Sequence, residues 1–180
     1  MNDATIYPYV LDPKLAPAIW GGGELVAEYG KHGDPAAKLG ESWECWDTNA
    51  IVNGPLAGKT VADLRAQLGP KLLGDLDPSR IFPVLTKIIT AHDWLSVQVH
   101  PDDAYAQRVE HQLNGKTESW YVFAADPGAQ LVVGWTRDTS REEYERRVAD
   151  GTLGEILRKI PVRPGDTIYI PAGMVHAIGS

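Results

Sequence analysis

The sequence predicts a mainly β protein, an antiparallel sandwich or barrel decorated by a few helices. Three observations carry that expectation. Thirteen prolines and 18 glycines punctuate 180 residues, so the elements must be short and joined by tight turns. Short apolar or alternating runs recur through the second half, separated by Pro127-Gly128 and Pro164-Gly165. Helical apolar spacing behind a capping residue is confined to the stretches that begin at Thr60 and Ser140.

Between Tyr7 and Tyr29, Pro8, Pro13, Pro17 and the run Gly21 to Gly23 exclude a long helix and leave loops and a first short strand. The glycine run reads as a plain turn, because no Gly-Lys-Ser/Thr follows it to build a phosphate loop. Glu41 to Asp47 reads as a strand and Asn53-Gly54-Pro55 as a turn. Thr60 to Leu73 is the first helix. Thr60 caps it, Asp63 sits in the first turn, Val61, Leu64 and Leu68 form its apolar stripe, and Gly69-Pro70 interrupts or bends it. Strands are expected at Phe82 to Ile89, Trp94 to His100, Trp120 to Ala124, Ala129 to Trp135 and Asp166 to Ile170. A second helical region starts at Ser140, with Glu143 completing a capping box, and runs past Gly151 and Gly154 to about Arg158. Leu153, Ile156, Leu157 and Ile160 would be its packing face. There is no internal repeat and no low-complexity segment.

The length suits a single domain spanning residues 1–180. Net charge is −7 with both signs scattered, which argues against nucleic acid as a partner, since that needs a basic stripe. No run approaches the roughly 20 apolar residues needed to cross a bilayer, and Met1 to Tyr9 lacks the basic start and apolar run of a signal peptide. A lone cysteine, Cys45, fits a reducing compartment. The expectation is a soluble cytoplasmic protein.

Chemistry enters at Trp94 to His100, where strict alternation puts Leu95, Val97 and Val99 on one face and Ser96, Gln98 and His100 on the other. The polar face either meets solvent or lines a cavity, where each group needs a partner. Farther on, Gly165 to His176 reads G-x5-P-x-G-x2-H. Gly165 allows a tight turn into a strand, Pro171 and Gly173 a tight bend out of it, and His176 then falls on the following strand. That pattern resembles the second motif of the cupin superfamily, which implies a cupin-type jelly-roll barrel whose histidine binds a metal in its interior. A metal site needs several ligands from facing strands, and zinc accepts imidazole nitrogen and carboxylate or amide oxygen. Gln98, His100, Glu118 and His176 offer that set, Glu118 lying after the turn Asn114-Gly115. His32, His92 and His111 have no convergent partners in the sequence and read as structural or solvated.

LSVQVHPDD from Leu95, GKTESWYV from Gly115 and IPAGMVHAIG from Ile170 resemble the class I mannose-6-phosphate isomerases. IWGG from Ile19, ESWE from Glu41, NGPLAGKT from Asn53 and FPVLTKII from Phe82 are similar to further segments of that family in the same order. The resemblance implies one zinc ion on Gln98, His100, Glu118 and His176. It also implies a sugar phosphate held near Ser96, Lys87 and Lys116, and interconversion of mannose 6-phosphate and fructose 6-phosphate through an enediol(ate). Lys116 would supply charge or help move the proton; the base itself is not assigned. GKTE at Gly115 is no nucleotide loop, since the upstream glycine is missing. Lys116 alternatively reads as a solvated turn lysine. Lys87 sits in an apolar run and needs an anion, a carboxylate partner or a route to solvent. Trp43 and Glu44 either border the sugar pocket or pack.

Family members continue beyond the position matching Ser180 with further barrel strands and a catalytic arginine. The expectation is therefore a domain lacking those strands, either a piece of a longer isomerase or a natural short form, and a monomer or weak dimer because an unpaired strand edge would be exposed. Two other classes stay open. One is a non-catalytic cupin that binds metal or carbohydrate; the other is a cupin metalloenzyme of a different reaction type, such as an oxygenase, which generally favours iron and more histidines.

Overall fold

The computed structural model describes residues 6–77 and 81–180. The chain divides into two compact units, Met1–His92 and Asp93–Ser180.

The first unit is built on a three-stranded antiparallel sheet in the order β1-β2-β3, with β1 at Lys14–Gly22, β2 at Leu39–Cys45 and β3 at Thr86–Ile89. Strand β1 is longer than its prolines suggested because Pro17 sits at a register shift, where it disturbs the ladder least. Gly21 and Gly22 are not a free turn. The pairing of Gly22 with Leu39 draws them into β1, and Gly23 precedes the short helix α1, Glu24–Ala27. The helix expected from Thr60 forms as two pieces, α2 (Val61–Leu68) and α3 (Pro70–Leu73), split at Gly69-Pro70. Its cap is a full capping box: Thr60 accepts from the Asp63 N–H, and the Asp63 carboxylate accepts from the Thr60 N–H. Leu64 and Leu68 pack with Ile51, flanked by Tyr9, Leu11, Leu56 and Leu72. Buried Asn49 ties the loops by donating to the Asp12 and Trp43 carbonyls. Asp47 accepts from Arg65 at 3.0 Å and from the Phe82 N–H at 3.1 Å.

In the second unit the short α4 (Asp103–Tyr105) runs into a π-helical turn, and β4 (Glu118–Tyr121) pairs with β7 (Thr167–Ile170) as a two-stranded sheet. The other sheet has the order β6-β5-β8, from β5 (Gln130–Trp135), β6 (Leu157–Pro161) and β8 (His176–Ile178). Val132, Leu157, Val175 and Ala177 form its core, with Trp135 and Leu153 against it.

Strand β6 corrects the expected second helix, which does not reach Arg158. Helix α5 covers only Arg141–Ala149. Gly151, at φ 70°, adopts the left-handed backbone that stops it, and Leu157 to Pro161 then pair with β5. Leu153, Ile156, Leu157 and Ile160 are therefore spread over a 3-10 helix, a turn and a strand. The Ser140 cap is half a box: Ser140 Oγ accepts from the Glu143 N–H, but the Glu143 carboxylate is engaged by Arg137 and Arg147. Trp94 to His100 is extended, yet instead of a regular strand it makes an isolated bridge, Gln98 opposite His176. It is flanked by two further backbone bonds, the Leu95 N–H on the Ile178 carbonyl and the Gly173 N–H on the His100 carbonyl.

Candidate metal centre

The bridge between Gln98 and His176 is what assembles the centre. Each donates its N–H to the other's carbonyl, at 2.8 and 2.9 Å, so their side chains project to the same face. Alternation then brings His100 to that face as well. The sequence left two destinations for the polar face, and Gln98 and His100 turn inward and are half-buried. Val97 and Val99 are the outward residues, 41% and 59% exposed. Ser96 is exposed, its hydroxyl accepting from the Gln98 amide at 3.0 Å. That contact uses the amide nitrogen as a donor, and an amide oxygen can only accept or ligate.

Glu118 arrives from β4 and His176 from β8. The Nδ1 of His176 lies 2.8 Å from the Met174 carbonyl. A carbonyl can only accept, so Nδ1 carries the proton and Nε2 presents a lone pair. That Nε2 is buried without a hydrogen-bond partner, a costly arrangement unless something else satisfies it. It faces Glu118 Oε2 at 3.4 Å, while His100 Nε2 faces Glu118 Oε1 at 3.7 Å. One ligand atom from each of His100, Glu118 and His176 lies within 4.8 Å of the others. Tetrahedral zinc with bonds of about 2.0–2.1 Å sets its ligand atoms roughly 3.3 Å apart. The two histidine–Glu118 separations lie near that value but run to different carboxylate oxygens, so the three side chains would draw together on an ion.

Lys116 completes the electrostatics. Its ammonium lies 2.7 Å from Glu118 Oε1 and 3.0 Å from His100 Nε2, so the cluster already gathers around a positive charge. Burial pushes the Glu118 carboxyl up, but the Lys116 hydrogen bond and charge, aided by both histidines, outweigh it and hold the group below its ordinary value. Lys116 is therefore not the free turn lysine of one sequence reading, although its side chain is 42% exposed. Its backbone is stapled to the preceding loop: the Lys116 N–H donates to the Pro101 carbonyl, and the Gly115 N–H to Asp103 Oδ1 at 2.7 Å. A Cβ on Gly115 would stand 2.3 Å from the Pro101 carbonyl oxygen, so that close approach requires glycine.

Lys87 belongs to the first unit, where it bonds Glu41 at 2.8 Å. Trp43 donates to the other Glu41 oxygen at 2.7 Å, and Glu44 is taken by Ser42 and Lys31. His32 is exposed, His92 pairs with Glu24 at 3.0 Å, and His111 closes the π-helical turn. A residue the sequence reading passed over is Trp120, which donates to Glu118 Oε2 at 3.2 Å and sets its ring edge-on to His176. Its signal was present: it stands two residues after Glu118 and so shares its strand face.

Residues 9–126 match the phosphomannose isomerase type I catalytic domain. The chain belongs to the type I phosphomannose isomerase family. It is 42% identical over 176 residues to a mannose-6-phosphate isomerase of Streptococcus mutans, covering 96% of this chain and 54% of that protein. A solved mannose 6-phosphate isomerase from Bacillus subtilis superposes with a TM-score of 0.87 at 33% identity, over 96% of this chain and 55% of the other. A zinc-bound mannose 6-phosphate isomerase, 14% identical, shares the fold with a TM-score of 0.71 over 96% of this chain and 66% of its own. The phosphomannose isomerase fold thus bears out the mainly β, cupin-type architecture expected of the sequence. The chain spans about half the length of the curated relatives it matches. Among the described residues no helix is long and apolar enough to cross a membrane.

Proposed function

We propose that this chain is a cupin-like isomerase domain of a zinc-dependent enzyme that interconverts mannose 6-phosphate and fructose 6-phosphate. The observation that carries the reading is the convergence of His100, Glu118 and His176, with an orphaned, buried imidazole nitrogen aimed into the cluster. Gln98, His100, Glu118 and His176 would hold the ion. When bound, zinc supplies a Lewis acid that polarises the sugar's carbonyl and hydroxyl oxygens.

The reaction moves a proton between C2 and C1 while the carbonyl and hydroxyl exchange places, through an enediol(ate). The protein must therefore offer positive charge to the developing oxyanion and a route for the proton. Lys116 is suited to the first task, and to passing a proton to or from a sugar oxygen, because its ammonium is already held beside the ligands. Ser96, hydrogen-bonded to Gln98, and the cation of Lys116 would meet the phosphate. Lys87, the other lysine the family resemblance singles out, has its charge met within the first unit by Glu41.

Turnover of mannose 6-phosphate by the purified chain, with zinc measured in the same sample, tests this reading. Activity that is lost on chelation and returns with zinc supports it. A chain that carries stoichiometric zinc without turnover instead supports the alternative of a metal-binding cupin domain, and stoichiometric iron in place of zinc would point to another reaction type.

A further inference from the structure

We propose that Trp120 is a positioning residue of the metal centre, its indole N–H holding one oxygen of Glu118 while its ring packs in a T-shaped contact against the imidazole of His176. The inference rests on the metal centre proposed above and adds a residue to it. Glu118 and Trp120 alternate with the exposed Ser119 and Tyr121 along β4, and they pair with Ile170 and Ile168 of β7. The two inward side chains are thereby fixed to a ladder rather than to a loop.

Trp120 Nε1 lies 3.2 Å from Glu118 Oε2, and its ring centroid is 5.5 Å from that of His176 at an interplanar angle of 70°. One side chain thus touches two ligands that come from different strands. The rest of each ligand's environment shows what the contacts do. Lys116 pulls on Glu118 through Oε1; a donor on Oε2 resists rotation of the carboxylate wholly onto the ammonium. His176 is anchored at Nδ1 by the Met174 carbonyl, and the indole ring packed against the imidazole restricts the swing that this single anchor leaves open. An indole N–H can only donate and carries no charge, so it orients the carboxylate without competing as a cation.

Trp120→Phe tests this, because it keeps an apolar ring beside His176 and deletes the donor to Glu118. Loss of an outer hydrogen bond to a ligand weakens metal binding by about 10-fold or more. The expected result is a zinc dissociation constant raised about 10-fold, measured by competition with a chromophoric chelator, with the unfolding midpoint of the metal-free protein unchanged. In a proton–nitrogen correlation spectrum of the wild type, the indole N–H signal that W120F lacks should move on zinc addition. Wild-type affinity in W120F, with wild type binding one ion, overturns the role of Trp120 and leaves the metal centre standing. Failure of the wild type to bind zinc overturns both. Should W120F also unfold more easily without metal, the resonance decides, and an indole signal unmoved by zinc overturns the assignment.

Discussion

The ion pairs of the first unit and the Glu118 cluster of the second treat charge differently. In the first, Asp47 meets Arg65, Glu41 meets Lys87 and Glu44 meets Lys31, each carboxylate facing a cation on a neighbouring element. In the second, a single carboxylate, Glu118, is shared among Lys116, His100, His176 and Trp120, and one imidazole nitrogen is left with no hydrogen bond. Matched pairs lock one element onto another, and buried atoms without a partner occur in both units, at Tyr9, Glu24 and Asn49 as well as His176. What is particular to the Glu118 cluster is that two imidazoles and an ammonium converge on one carboxylate of lowered pKa, the pattern of a functional site. The unfinished cluster is therefore the part of the molecule to read for chemistry.

His100→Ala should separate these two behaviours most sharply. It removes a proposed ligand and leaves the ion pairs of the first unit intact, and metal analysis should find stoichiometric zinc abolished and turnover with it. Full retention of zinc and activity in that variant would remove the site.

Asp47→Asn should do the reverse. It leaves Arg65 facing a neutral amide and weakens the acceptor for the Phe82 N–H. Breaking such a pair costs about 3 kcal/mol at the low end of the range for buried ion pairs. Chemical denaturation should register that loss while zinc content stays at the wild-type level. A variant equally stable but metal-free would invert the comparison.

Asp103→Ala tests whether the Lys116 loop is positioned or merely present. The Asp103 carboxylate holds the Gly115 N–H, so its loss should lower kcat by about 10-fold through displacement of Lys116, with zinc retained. Unchanged kcat would mean that the Pro101 contact alone sets the loop.

The smallest effect is expected at Glu143. Hydrogen bonds from Arg137 and Arg147 hold its carboxyl at about 2 against an ordinary 4.5. Because the folded value is depressed, the unfolded chain binds more protons across that window. Its contribution to stability is thus complete above pH 4.5 and disappears as pH falls toward about 2. Acid titration of Glu143→Gln should show a flatter loss of stability over this range than wild type, and identical acid limbs would dismiss the contribution.

Much of the cluster was legible because its determinants are local. The G-x5-P-x-G-x2-H spacing placed His176, and strand alternation put Gln98 and His100 on one face. The direction of that face was not legible: Val97 and Val99 look like core residues yet face outward, since the pairing of Gln98 with His176 decides which side turns in. The same holds for β6, where Leu153, Ile156, Leu157 and Ile160 satisfy helical spacing, but Gly151 and pairing with β5 override it. Glu41 as the partner of Lys87 is a cross-strand fact that appears once Trp43 and Lys87 are in register. Trp120 was passed over because an aromatic on a strand reads as packing until its N–H is seen on a ligand.

The central claim is that an ion sits on two imidazoles, a carboxylate and an amide of the second unit. A zinc-edge X-ray absorption spectrum of the loaded protein tests it most directly. The account predicts a shell of nitrogen and oxygen alone at about 2.0–2.1 Å, with the outer scattering of two imidazoles that falls away in His176→Ala. A sulfur scatterer at about 2.3 Å would place the metal on Cys45 instead and contradict the account.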